Sequence, residues 1–321
     1  MRHYDIVIVG GGIAGMTAGI YARRAGKTVL ILESKTQGGQ IINTFDVANW
    51  PGEETISGVD LIEKIYHQVN KLGVDFEYEE VTGVSQSEEF VSDSVEKRLW
   101  NVITDDGEYS CDAIIVATGS NEKKMGVPGE DKYIGRGVSF CATCDGAFYK
   151  DKTVVVVGGG NTAFYDALYL VDLCAKVYLV HRRNKFRADN ILVDKLKARE
   201  NVEFVTPFVP SAVKGEKKVT SLVVQSSGID DDSKLVTVDA ITKEIEVDGV
   251  FVAVGRTPAT EFLKDVVDLD EGGYVKAGED CKTSAPGVFV AGDCRAKDIR
   301  QLVTAASDGA VAATEACRYL G

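Results

Sequence analysis

An α/β fold made from two copies of one plan, one nested inside the other, is the architecture this sequence predicts. Three observations predict it. Residues 4–33 read as a strand (Tyr4 to Val9), the turn Gly10-Gly11-Gly12-Ile13-Ala14-Gly15, an alanine-rich helix, and a second strand (Thr28 to Leu32) that ends in Glu33. Residues 152–183 repeat that order with Thr153 to Val157, then Gly158-Gly159-Gly160-Asn161-Thr162-Ala163, a helix, and Val177 to Val180. Finally, three further apolar strands, 112–119, 248–255 and 287–293, each run into a glycine turn.

The glycine turns have a physical logic. Gly10 and Gly158 permit the tight turn out of the strand. Gly12 and Gly160 let the backbone approach a pyrophosphate, which then sits on the helix N-terminus. Gly15 and Ala163 let the helix pack closely on the sheet. One such turn is a weak signal; two in strand–turn–helix–strand context are a strong one and read as Rossmann-like dinucleotide-binding units.

The copies differ where nucleotide choice is made. Glu33 lies 23 positions after Gly10, where a carboxylate can bond both hydroxyls of an unphosphorylated ribose, as in FAD. The same count after Gly158 reaches His181, followed by Arg182 and Arg183, with Arg187 a turn later. Guanidinium groups suit the 2′-phosphate of NADPH, which a carboxylate would repel. A solvated basic turn is the plainer reading of that cluster.

The remaining elements follow in order. Residues 60–72 place Leu61, Ile65, Val69 and Leu72 on one helical face. Residues 74–110 and 202–247 alternate apolar and polar as β-meanders do. The simplest arrangement gives two domains of three-layer ββα type. Residues 1–118 and 250–321 form a discontinuous FAD-binding domain, and residues 119–249 form an NADPH-binding domain inserted into it. The 321-residue length accommodates both.

Composition narrows the function. With 45% hydrophobic and 26% charged residues the chain reads as an ordinary globular protein, and no stretch approaches a membrane span. The start runs straight into a strand, which predicts no targeting segment and a cytoplasmic location. A net charge of −13 disfavours nucleic acid as a partner. Seven cysteines, an odd number, are not the framework of a small secreted domain. Cys111, Cys174, Cys281 and Cys317 sit singly in ordered patterns.

Cys141 and Cys144 are the one close pair, in Cys141-Ala142-Thr143-Cys144-Asp145. A C-x-x-C spacing serves either dithiol redox chemistry or metal binding. A structural zinc site needs four ligands, yet there is no second such pair and only three histidines, so no metal site is expected. Dithiol chemistry also needs a proton donor, and Asp145 is the nearest acid in sequence. Its plainer reading is the start of a turn with Gly146.

These motifs, taken in order, resemble the bacterial-type low-molecular-weight thioredoxin reductases along essentially the whole chain. The resemblance rests on Gly38-Gly39-Gln40, Asn49-Trp50-Pro51-Gly52, Ala117-Thr118-Gly119 and the run from Gly135 to Phe148. It continues through Gly158 to Ala163, His181-Arg182-Arg183 with Phe186-Arg187-Ala188, and Gly292-Asp293 with Arg300-Gln301. It implies electron flow from NADPH through FAD to Cys141–Cys144 and on to the disulfide of a small thioredoxin. Cys144 would face the flavin and Cys141 the thioredoxin. Asp293, Arg300 and Gln301 would contact the flavin end of FAD, lined by Gly38, Gly39 and Gln40, with Asn49, Thr118 and Gly119 also on FAD. It further implies a homodimer that alternates between two domain orientations, with hinges near Gly119 and Gly249.

Two departures accompany it. Phe164, Tyr165 and Asp166 stand where relatives often carry two acidic residues before the next alanine, which bears on NADPH affinity. Cys294 follows Asp293 directly and reads as a packing residue. The alternatives are a ferredoxin-driven reductase, a flavin-dependent dithiol oxidase, or a non-catalytic zinc-binding or redox-sensing protein.

Overall fold

Runs of β-branched and aliphatic residues such as Ile6-Val7-Ile8-Val9 are buried on both faces. That is how a strand inside a parallel sheet reads when layers cover it above and below. The computed structural model describes residues 2–44, 47–90, 96–236 and 241–321. The chain divides into two compact units, Met1–Asn121 with Thr257–Gly321, and Glu122–Arg256.

In the first unit the order is β1 (Arg2–Val9), α1 (Ile13–Arg24), β2 (Val29–Leu32), α2 (Gly58–Lys71) and β3 (Asp75–Glu77). There follow β4 (Val81–Phe90), β5 (Glu96–Thr104) and β6 (Glu108–Val116), before β7 (Ser120–Glu122) leads into the second unit. The sheet runs β3-β2-β1-β6-β5-β4. Its β1 is parallel to both neighbours, with Val7 opposite Leu30 and Ile114.

The long strand β6 does two jobs on one edge. Its first half pairs antiparallel with β5, and Ile114 to Val116 pair in parallel with the C-terminal segment Val288–Val290. One sheet face is covered by α1, α2 and the C-terminal helix Leu302–Leu320, the other by the meander and residues 263–294. In α2, Ser57 caps the first turn, accepting from the Asp60 N–H at 3.0 Å. Leu61, Ile62 and Val69 are buried, and Ile65 and Leu72 pack at the margin.

The second unit contains α3 (Glu130–Tyr133), β8 (Val138–Ser139), α4 (Ala142–Asp145), β9 (Thr153–Val157), α5 (Asn161–Val171), β10 (Lys176–Val180) and α6 (Asn190–Lys197). It continues with β11 (Val202–Val205), β12 (Phe208–Gly215), β13 (Val219–Ser226), β14 (Thr242–Glu246) and β15 (Gly249–Val252). A parallel sheet, β11-β10-β9-β15-β8, has helices on one face and the antiparallel sheet β12-β13-β14 on the other. This is the ββα layering expected from sequence.

The second crossing lies later than the expected position near 250. Strand β15 hydrogen-bonds between β9 and β8, so pairing holds it in the second unit, and the chain leaves that unit at Arg256. Glu122 and Arg256, its first and last residues, form an ion pair at 2.9 Å. After β16 (Arg256–Pro258) come β17 (Val288–Val290) and α7 (Leu302–Leu320). Among the described residues no helix is long and apolar enough to cross a membrane.

Candidate active site

In the first unit the turn out of β1 holds Gly10 at φ 109°, and a Cβ there would lie 2.4 Å from the Ala117 carbonyl oxygen. A Cβ on Gly15 would lie 1.9 Å from the Gly10 oxygen, so helix and turn meet at a distance only glycine allows. A Cβ on Gly12 would touch nothing closer than 3.8 Å. That open position faces the N-terminus of α1, whose first turn has neither a side-chain cap nor an acid. Its unpaired N–H groups suit an anion.

Glu33 sits at this turn. Its carboxylate accepts from the Gly11 N–H at 2.8 Å and the Lys35 N–H at 3.0 Å. Gly38 joins the same corner through its N–H to the Gly11 oxygen at 2.8 Å, and Gly39 follows in the left-handed region at φ 65°. A cleft of about 630 Å³ opens beside them, lined by Gly10, Glu33 and Thr118 among others. Gln40 donates to the Ser120 carbonyl at 2.5 Å, next to Gly119. Asn49 donates to the Gln301 side chain at 3.2 Å, which places those two together.

Gln301 also closes a capping box with Thr304 at the head of α7. Arg300 lies over the Tyr274 ring at 4.4 Å. Asp293 is half-buried in the turn after β17, and the Gly292 N–H in that turn is held by Asp308 at 3.0 Å. Among the described residues the Thr118 hydroxyl and the Arg300 Nε are buried with no hydrogen bond at normal geometry. Buried polar atoms of this kind call for a ligand or water. With the open Gly12 cradle, they fit a dinucleotide.

The second unit repeats the arrangement with different chemistry. A Cβ on Gly158 would lie 2.4 Å from the Ala253 oxygen, whereas one on Gly160 would meet nothing within 4 Å. Ala163 is fully buried against the turn, and α5 again begins without a cap or an acid. The basic loop is tied to this turn by the Arg187 N–H, which donates to the Gly159 oxygen at 2.8 Å.

The four residues of that loop named from sequence separate into two kinds. Arg182 and Arg187 are exposed. His181 is buried against Gly159 and stacks near Phe186, and burial followed by the charges of Arg183, Arg182 and Arg187 pushes it down to about 4. It is therefore neutral at pH 7. Arg183 is buried and donates to the Ser233 hydroxyl at 2.6 Å. Phe164 is a core residue, edge-on to Phe186 at 5.0 Å, while Tyr165 is exposed. Burial raises Asp166 to about 6 against the opposing charge of Arg256.

Cys141 and Cys144 form a disulfide, with their Cα atoms 5.3 Å apart. Cys141 caps α4, which packs on α5. Asp145 ends that helix, and its backbone N–H donates to the Cys141 oxygen at 3.1 Å. Burial pushes its carboxyl up, opposed by a 2.6 Å hydrogen bond from the Ser139 hydroxyl. So Asp145 lies in the dithiol turn in an environment that favours holding a proton. No cluster of metal-ligating side chains occurs among the described residues.

Sequence reasoning missed Ser139, Ser233, Tyr274 and Asp308. Ser139 lies within the run from Gly135 to Phe148 but was given no role of its own, and Ser233 and Tyr274 reach their partners only through the fold. Asp308 had a faint signal, an acid amid the small residues of α7.

Residues 4–309 match the family described as pyridine nucleotide-disulphide oxidoreductases. A thioredoxin reductase of Listeria innocua is 40% identical over 318 residues, covering 99% of this chain and 94% of that one. One from Bacillus subtilis is 37% identical over 317 residues, covering 99% and 95%. The crystal structure of thioredoxin reductase from Streptococcus pyogenes superposes with a TM-score of 0.88 at 38% identity, covering 99% and 98%. Motif order, the paired cysteines and likeness along the whole length agree: the chain belongs to the pyridine nucleotide-disulphide oxidoreductase family and, within it, to the thioredoxin reductases.

Proposed function

We propose that this protein reduces the disulfide of a thioredoxin-like protein with NADPH, using FAD as the electron relay and Cys141–Cys144 as the exchanging pair. The observation that carries the reading is a disulfide beside a half-buried acid, in a unit that also holds a glycine turn and a basic loop. The overall change balances as NADPH, one proton and a disulfide giving NADP⁺ and a dithiol. When bound, FAD carries two electrons from the reduced nicotinamide to a disulfide.

The residues that would hold FAD are the Gly10, Gly12 and Gly15 turn with Glu33, lined by Gly38, Gly39 and Gln40. Asn49, Thr118, Gly119, Asp293, Arg300 and Gln301 complete the set. NADPH would lie on Gly158, Gly160 and Ala163. Arg182 and Arg187 would take its 2′-phosphate, while His181 and Arg183 support the loop from beneath. Once reduced, the pair attacks the partner disulfide as a thiolate: one S–S bond breaks as another forms. The departing sulfur takes a proton from Asp145. The remaining thiol of the pair then resolves the mixed disulfide and releases the partner as a dithiol.

The ferredoxin-driven and oxidase readings gain nothing from a basic loop with two exposed arginines, and the zinc reading gains nothing from an oxidised pair. We also read the protein as a cytoplasmic homodimer.

The decisive experiment is anaerobic titration of the purified yellow protein with NADPH, followed by flavin absorbance. Full bleaching after about two equivalents per flavin, one for the disulfide and one for the flavin, reversed by added thioredoxin disulfide, is expected; an unbleached flavin would remove NADPH as donor. Coenzyme choice gives a second prediction. Arg182→Ala with Arg187→Ala should raise the KM for NADPH at least roughly tenfold, since each charge-assisted bond is worth about 1.5–3 kcal/mol. The KM for NADH should change little. Equal losses for both coenzymes would move the 2′-phosphate elsewhere.

A further inference from the structure

We infer that Ser139 is a positioning residue for the thiol chemistry, its buried hydroxyl joining the backbone of Cys141 to the carboxylate of Asp145. Three structural features carry this. The Ser139 side chain is 6% exposed, on the edge strand β8, where its residue pairs with Phe251. Its Oγ accepts the Cys141 N–H at 3.1 Å. The same Oγ donates to Asp145 Oδ2 at 2.6 Å. One hydroxyl thus takes the first residue of the dithiol turn on one side and the acid at its end on the other.

Geometry makes this more than a turn contact. A serine hydroxyl has one hydrogen, and at these distances it goes to the carboxylate while the lone pair receives the amide. The bond fixes which carboxylate oxygen is occupied and leaves Oδ1 to hold or release a proton. It also connects the turn to the parallel sheet, a rigid element, so the acid is placed by the core and not by the loop alone.

The titratable groups around Asp145 are few. Tyr149 on the next turn is raised to about 12 by burial and then by the charges of Asp145 and Asp248. Helix α5, on which α4 packs, carries Tyr165, Asp166 and Tyr169, with Asp172 at its C-terminal cap. Burial and the Ser139 bond are what move the Asp145 carboxyl, in opposite directions. Removing the hydroxyl takes away the influence that favours the charged form, so the carboxyl should titrate at higher pH.

The inference rests on the reading of Asp145 as proton donor, and the experiment separates the two. The rate of NADPH-driven reduction of a purified bacterial thioredoxin is measured against pH for the flavin-loaded wild type, Ser139→Ala, Ser139→Thr and Asp145→Asn. The rate of flavin bleaching by NADPH alone is followed in parallel. Ser139→Ala should lower the plateau about tenfold and move the alkaline limb upward by about one pH unit or more, with bleaching unchanged. Ser139→Thr, which keeps the hydroxyl, should restore the limb to its wild-type place. A lowered plateau with the limb unmoved would make Ser139 a structural residue and overturn the inference. A wild-type limb in Asp145→Asn would instead assign the titration to another group and overturn the reading beneath it.

Discussion

Cys144→Ser is expected to abolish thioredoxin reduction, by at least about 10³-fold, the scale on which loss of a nucleophile acts, while the protein keeps its bound flavin. A serine hydroxyl matches the thiol in size but does not ionise near neutrality and cannot form or resolve a disulfide. Among the described residues no thiol outside the pair is placed to substitute. Cys111, Cys174, Cys281 and Cys294 are buried. Burial drives Cys111 and Cys281 up to about 12 and Cys174 to about 11, and it raises Cys294 as well. Cys317, half-buried on α7, is raised too. None supplies a thiolate at pH 7. The measurement is NADPH-dependent turnover with thioredoxin together with the flavin spectrum of the purified variant. Retained turnover would place the exchange on other sulfurs.

Asp308→Ala is expected to cost about 3–5 kcal/mol of folding stability, because it breaks a buried ion cluster from one side. Asp308 accepts two bonds from Arg295, at 3.1 and 3.0 Å, one from Lys297 at 2.8 Å and one from the Gly292 N–H at 3.0 Å. The side chains are only 9–12% exposed, so removal of the carboxylate strands two cations away from water. Urea unfolding measures the loss. Converting Asp308 to Leu together with Arg295→Met and Lys297→Met should recover most of it, since the charges then leave together. A loss in Asp308→Ala below about 1 kcal/mol would mean that the cations find water.

The pH dependence has a definite sign. Burial pushes the Asp308 carboxyl up, but Arg295 and Lys297 outweigh it and hold it below the ordinary range. A carboxyl depressed in the folded state contributes its stability fully above the unfolded value of about 3.9. That contribution is lost as pH falls through the lower folded value. Wild type and Asp308→Ala should therefore converge in stability in acid, diverge as pH rises toward about 4, and keep a constant gap above it.

Much of the fold was legible because it depends on local rules. A glycine turn needs its glycines at set offsets from a strand and a helix, so both turns and the helix after each could be placed from the chain alone. The face of α2 followed from periodicity, with Leu61 and Val69 buried as expected. The second crossing was less legible. A strand of Gly249-Val250-Phe251-Val252 serves either sheet equally well, and only its hydrogen bonds to β9 and β8 assign it.

For the site, the sequence by itself determined the chemistry available: a thiol pair, an adjacent acid, and two unlike nucleotide turns. Those are matters of residue type and spacing, which the chain carries in one dimension. Tertiary structure decided how each group behaves, because burial and partners come from residues far apart in sequence. His181 and Arg182 are neighbours in the chain, yet packing against Gly159 and Phe186 buries one and leaves the other in water. Arg183 meets Ser233 from fifty positions away. Asp145 was legible as an acid in the right place. That it is desolvated, and held by a serine on the edge of the sheet, follows from the low dielectric and fixed geometry that only the folded chain provides.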